Sequence, residues 1–184
     1  MIGPRRFSLE RNDGRIWIAG PINPDGVSVA ALRRSFAEID PDGPVRVMLA
    51  TPGGSYVEGL AMYLALRECG RPVEITVRRA ASVGSLVAMA GTRIEIEPTG
   101  CFFLHGAGYV RDALSGLVPH MTAETFRHAA RSLDRADAVV LDVLTRRTGL
   151  PRHELAALHA SDTTLNAERA VALGFADSIA SPEI

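Results

Sequence analysis

Val45-Arg46-Val47-Met48-Leu49-Ala50, then Thr51-Pro52-Gly53-Gly54-Ser55, then Tyr56 to Cys69, is the stretch that decides the fold class. VRVMLA is a short apolar run suited to a strand buried on both faces. Pro52 and the paired glycines end it, and a helix is expected from Tyr56 to Cys69. A strand that turns straight into a helix is half of a crossover, the connection that parallel strands require.

The flanks repeat this alternation. Val29, Leu32, Phe36 and Ile39 lie at helical spacing within Val27 to Ile39, and Asp40-Pro41-Asp42-Gly43-Pro44 stops that helix. Before it, Phe7 to Glu10 and Arg15 to Gly20 flank Asn12-Asp13-Gly14 and read as a hairpin. Downstream, Val73 to Val77 reads as a strand and Ala81 to Ala90 as a short helix of small residues. Arg93 to Glu97 and Cys101 to Leu104 read as two more strands. A long helix is expected from about Thr122, its N-cap, to Arg147. Pro151 to His159 and Ala167 to Leu173 are further helices, the last capped by Gly174. Asp177 to Ala180 is a closing strand. The class is α/β: a parallel sheet covered by crossover helices, with ligands expected at the carboxyl ends of the strands.

The chain has 184 residues, 47% hydrophobic and 22% charged. That length and mix fit one globular domain, residues 1–184. The formal net charge is -1 and the pI about 6.5. A general binder of nucleic acid or of anionic membranes carries a basic surplus, so neither partner is expected. No run reaches the roughly 18–20 apolar residues of a membrane span. Met1 to Arg15 is polar and lacks the apolar core of a signal peptide, so a cytoplasmic location is expected. All 20 basic residues are arginine. Without lysine, Ser-Lys hydrolysis, Schiff bases and a P-loop lysine are excluded. Cys69 and Cys101 are too few for a disulfide scaffold and lack zinc-site spacing; they read as small buried hydrophobes in a reducing compartment. No metal and no cofactor are expected.

Three constellations fall at strand ends. Gly53-Gly54 lets the backbone approach a ligand, and N–H groups at a helix start suit an oxyanion; a plain tight turn accounts for the same residues. In Ala80-Ala81-Ser82-Val83-Gly84-Ser85 a serine among tiny residues opens a helix, where developing negative charge is favoured. An N-cap role for Ser82 fits equally well, and Ser85 is a competing nucleophile. His105 ends the apolar strand Phe102-Phe103-Leu104 and precedes Gly106-Ala107-Gly108, a good place for a general base. His120, His128, His153 and His159 read as solvated or packing residues. The acid that such a histidine needs is Asp162 or Asp177, and spacing alone does not choose.

Together the segments RIWIAGPI, VRVMLATPGGSYVEGLAMYLAL, AASVGSLVAMAG, the strand ending in His105, and SDTTLNAERAVALGFADSI resemble the proteolytic subunit of the Clp protease family, within the Clp/crotonase superfamily. They cover most of the chain in the family's order. The resemblance implies the β-β-α superhelical fold of that superfamily, with a parallel sheet, crossover helices and a projecting handle helix at about residues 108–149. It implies a serine endopeptidase with Ser82 as nucleophile, His105 as base and Asp162 as acid. Gly54 and Val83 match the backbone donors of the oxyanion hole. AASVGSLVAMAG and ALGFAD are nearer to the Clp-like proteases of phage and prophage type.

Departures from the family pattern fall around the site. Arg78 stands where the family has glycine, and Arg79 where glutamine is common; two cations there narrow the site, pair with acidic substrate, or form a solvated pair. The family's His-Gln-Pro is His105-Gly106-Ala107. The N-terminal stretch reads as a hairpin without the family's first helix and axial loop, which weighs against a Clp-type ATPase partner. Phe126, Ala130, Leu133, Ala136, Val140 and Leu144 give the handle helix one apolar face. A projecting helix of that kind implies an oligomer, and the resemblance implies a homo-oligomer of stacked rings acting on peptide or unfolded protein. Two other functions fit the residues: a catalytically inactive subunit, and a crotonase-like acyl-CoA enzyme on the same superfamily fold.

Overall fold

The computed structural model describes residues 8–10, 14–109 and 122–181. The hairpin turn at 11–13, His120 and the first part of the handle, 110–121, lie outside the described residues. The chain runs β1 (Ser8–Glu10), β2 (Arg15–Ala19), α1 (Val29–Phe36), β3 (Val45–Thr51), α2 (Tyr56–Arg67), β4 (Val73–Ala81), α3 (Val83–Ala88) and β5 (Arg93–Leu104). It continues through α4 (Ala123–Thr148), α5 (Arg152–Ala160), β6 (Thr163–Asn166), α6 (Ala167–Ala172) and β7 (Ser178–Ile179).

Strands β2, β3, β4 and β5 are parallel neighbours in chain order. Right-handed crossovers between strands in that order put their helices on one face of the sheet. Side-chain alternation agrees. The row Ile16, Val47, Ile75, Ile94 and the row Ile18, Leu49, Val77, Ile96 are buried and in register. Arg15, Arg46, Glu74 and Arg93 form a matching row on the other face, where Arg46 and Arg93 are exposed. The strand Val45–Thr51 is buried on its helix face throughout and, on the other face, at Met48, so the double burial its apolar run suggested fails at Arg46, which is exposed.

Several boundaries differ from the sequence expectation for physical reasons. Arg93 to Leu104 is one strand, not two. Its pairing with β4 slips between Val77 and Arg79, which absorbs Pro98 and Gly100 without ending the ladder. Strand β6 was not anticipated; it adds antiparallel to the last turn of β5, while β7 pairs parallel near its start. Cys69 and Cys101 are free thiols of intermediate exposure rather than buried. Thr122 caps the long helix as expected, accepting from the Thr125 N–H.

The C-terminal segment is clamped to the base of β5. Asp177 N–H donates to the Ile94 carbonyl at 2.7 Å. Its carboxylate accepts from Ile94 N–H and from Arg147 at the end of α4, both at 2.7 Å. Burial pushes the Asp177 carboxyl up, but the Ile94 N–H, the Arg147 guanidinium and the Arg93 charge more than offset this and hold it below its ordinary value. Phe175 packs on Phe102 with ring centroids 5.5 Å apart. Such a pair contributes about 0.5–1.5 kcal/mol beyond its burial.

Candidate active site

The carboxyl ends of β3, β4 and β5 converge on one place. Beyond β3, Gly53 has φ +91° and Gly54 φ +142°. Both are needed by contact as well as by φ. A Cβ on Gly53 would lie 2.5 Å from the Ser82 Cβ and 2.7 Å from the Ala81 carbonyl oxygen, and one on Gly54 would collide with the Ile22 carbonyl. The turn is sewn to Ile22, whose N–H donates to Gly53 O and whose carbonyl accepts from Ser55 N–H, each at 2.8 Å. In a parallel bridge made by the flanking residues, the Gly54 amide itself faces away from Ile22. Buried Thr51 sets the turn from inside, donating to Gly20 O at 2.8 Å and accepting from Gly53 N–H at 3.0 Å.

Beyond β4, Ser82 has φ 56° and ψ -129°, a conformation that costs a non-glycine residue on the order of 1–3 kcal/mol. Three bonds hold it. Ser82 N–H donates to Phe103 O at 2.8 Å, and the Ser82 carbonyl accepts from Ser85 N–H at 2.9 Å. The Ser85 hydroxyl donates to the same carbonyl at 2.5 Å. The Ser82 hydroxyl does not cap α3, so the N-cap explanation for this serine fails. Ser85 is 1% exposed and its hydroxyl is engaged, so it is no competing nucleophile. Val83 opens α3. Its N–H belongs to the first turn, which has no intrahelical acceptor.

Beyond β5 comes His105, half-buried beside Phe103, with ring centroids 5.6 Å apart. Its Nδ1 lies 2.7 Å from the Gly106 carbonyl oxygen. A carbonyl only accepts, so Nδ1 carries the hydrogen and the neutral ring keeps its lone pair on Nε2. The β5–β6 ladder pairs Leu104 with Thr163; the next step of that register faces His105 with Asp162. Asp162 is exposed and has φ 47°, a region aspartate tolerates better than most residues. Among the described residues the recorded Nδ1 partner is Gly106, not Asp162.

The other acid candidate, Asp177, is bound to Ile94 at the opposite end of β5 from His105. Arg78 pairs with Glu97 through two 2.9 Å bonds and lies over the Trp17 ring at 5.5 Å. It is thus held on the open face of the sheet; Arg79 is exposed. His128 and His153 are exposed and His159 is buried, which fits the solvated or packing roles expected of them.

Sequence reasoning missed two neighbours of His105. Asp137 on α4 accepts a 2.7 Å bond from Ala107 N–H. His159 on α5 is buried, and both ring nitrogens lack a hydrogen-bond partner among the described residues. Burial lowers its pKa, the Asp137 carboxylate pulls it partly back up, and the charge of His105 lowers it further. A signal for Asp137 was present: it falls on the helix face of Leu133, Val140 and Leu144, where a charge is out of pattern.

Comparison with known proteins agrees with this architecture. The sequence model of the Clp protease family matches residues 12–183. The ATP-dependent Clp protease proteolytic subunit of Dehalococcoides mccartyi is 27% identical over 179 residues, covering 94% of this chain and 84% of that protein. No helix among the described residues is long and apolar enough to cross a membrane. The match spans every strand from β2 to β7 and each of the three strand ends that meet at Ser82, and the chain accordingly belongs to the Clp protease family of peptidases.

Proposed function

We propose that the chain is a serine endopeptidase that cleaves peptide or unfolded-protein substrates inside a ring-shaped homo-oligomer. The observation that carries this reading is the Ser82 elbow: a strained serine with an uncapped hydroxyl at a helix start, packed against Gly53. Ser82 Oγ attacks the peptide carbonyl. His105 Nε2 takes its proton and later delivers it to the leaving amine. The Gly106 carbonyl keeps the Nδ1–H, and Asp162, next on the ladder, stabilises the imidazolium by its charge. The amides of Gly54 and Val83 receive the oxyanion, a contribution on the order of 10²–10³ in rate for each donor.

Assembly is supported by α4. Phe126 is 58% exposed near the start of this helix, whose other end is buried at Leu141, Val143 and Leu144. Pairing of this helix with a second copy removes that apolar surface from water. The relative is named for ATP dependence. In this chain β1 pairs antiparallel with β2, and short peptides require no unfolding partner, so activity on peptides without nucleotide is expected. One observation favours a silent subunit instead: His105 Nδ1 engages Gly106 rather than Asp162.

The test is hydrolysis of fluorogenic peptides and of an unfolded protein by the full chain and by Ser82→Ala. The expected result is turnover that falls by about 10³ or more in the variant. Turnover that survives Ser82→Ala, or no turnover by an assembled wild type, contradicts the reading.

A further inference from the structure

We propose that Asp137 of the handle helix is a positioning residue for His105, acting through the peptide group that joins Gly106 to Ala107. This rests on His105 being the base of the proposed peptidase. In a trans peptide the C=O and the N–H point in opposite directions. The Ala107 N–H donates to Asp137 Oδ1 at 2.7 Å. On the other side of the same peptide group, the Gly106 carbonyl accepts from His105 Nδ1 at 2.7 Å. The chain of contacts is therefore carboxylate, peptide group, imidazole.

That arrangement does three things. The carboxylate fixes the plane of a peptide that two glycines would otherwise leave free, since Gly106 and Gly108 flank Ala107. It holds the Gly106 carbonyl toward Nδ1, which selects the tautomer with the lone pair on Nε2. It also polarises the peptide, so that the carbonyl accepts more strongly than an unassisted one. A Cβ at Gly106 would be in ordinary contact with Asp137 Oδ2, at 3.6 Å, so the carboxylate lies against this peptide. Buried His159 lies within electrostatic reach of both Asp137 and His105, which are half-buried beside it. Among the described residues Asp137 bonds Ala107 N–H and makes no hydrogen bond to Ser82. It couples the orientation of His105 to α4.

The test compares the full-length wild type with Asp137→Ala and Asp137→Asn. Asparagine keeps an oxygen that accepts from the Ala107 N–H; alanine does not. Four readouts are taken: amide hydrogen exchange across residues 105–109, the rate of fluorophosphonate labelling, kcat and KM on a peptide, and native mass. For Asp137→Ala we expect exchange at this segment to rise about tenfold or more. Labelling rate and kcat should fall by about tenfold to a hundredfold, with KM within about twofold. Native mass should be unchanged, and Asp137→Asn should recover protection and most of the rate. Wild-type exchange and labelling in Asp137→Ala overturn the proposal. So does equal impairment of the two variants, or a loss of rate that tracks a loss of native mass. If the wild type does not label while exchange still rises in Asp137→Ala, the peptidase reading fails and the Asp137 link stands.

Discussion

The hydroxyl of Ser85 donates to the carbonyl oxygen of Ser82 at 2.5 Å. Two serines one helical turn apart therefore have different work: Ser82 presents its side chain, and Ser85 holds the backbone that presents it. Ser85→Ala should still label with a fluorophosphonate, and at Ser82 alone, more slowly than wild type. Its stability should fall by about 0.5–1.5 kcal/mol, the net worth of a neutral hydrogen bond. Peptide mapping of the label and a denaturant titration check both; a label mapped to Ser85 contradicts the assignment.

Gly53 and Gly14 both have positive φ, +91° and +66° respectively, but only Gly53 is crowded. Gly14→Ala has open space around the new Cβ. It should cost about 1 kcal/mol for the backbone conformation alone and leave labelling unchanged. Gly53→Ala drives a methyl into the Ser82 Cβ and the Ala81 carbonyl. Both stability and labelling should fall, the former by a further 1–3 kcal/mol or so. Thermal unfolding beside labelling kinetics separates the two variants.

Asp177→Ala should destabilise without slowing Ser82. Its carboxylate bonds Ile94 N–H and Arg147, but it is 41% exposed and solvent screens it. A loss of about 1–2 kcal/mol at neutral pH is expected, the lower part of the range for charged bonds. The folded pKa is depressed below the ordinary 3.8. The stabilisation is therefore full above that value and is lost as pH falls through the folded pKa. Urea titrations of wild type and variant should converge in acid, and labelling rates should match at neutral pH.

His159 has the same sign from a different cause. Burial depresses its folded pKa below the ordinary 6.5, with Asp137 opposing and His105 reinforcing the shift. Below that ordinary value the unfolded chain binds the proton more readily, so stability declines as pH falls from there toward the folded pKa. His159→Phe, of similar volume, should lack this component and show a flatter profile over that interval. Chemical denaturation at several pH values measures it; equal slopes in the two proteins contradict the account.

The fold was legible where its information is local. VRVMLA, Gly53-Gly54 and the following helix lie within one continuous stretch, and strand, turn and helix each leave their own periodicity there. Strand β6 was not legible, because Thr163 to Asn166 is too short for a pattern and gains its identity only from pairing with Cys101 to Leu104. The single run of β5 was hidden by Pro98 and Gly100, which read as breakers and act as a slip in register. Ser82, His105 and Asp162 were grouped by resemblance to a family; strand register sets Ala81 beside Phe103 and Thr163 beside Leu104, within two residues of each of them. The rivalry of Ser82 with Ser85, and of Asp162 with Asp177, depended on which polar atoms were already engaged. Asp137 was masked because a helical stripe with one charge in it still reads as a packing face.

The central claim is an activated Ser82–His105 pair. Intact-mass labelling of the assembled chain with a fluorophosphonate, beside Ser82→Ala and His105→Ala and with native mass recorded, tests it most directly. The account predicts stoichiometric labelling of the wild type and none of either variant, all at the same native mass. Labelling that persists in Ser82→Ala, or an assembled wild type that takes no label, would contradict it.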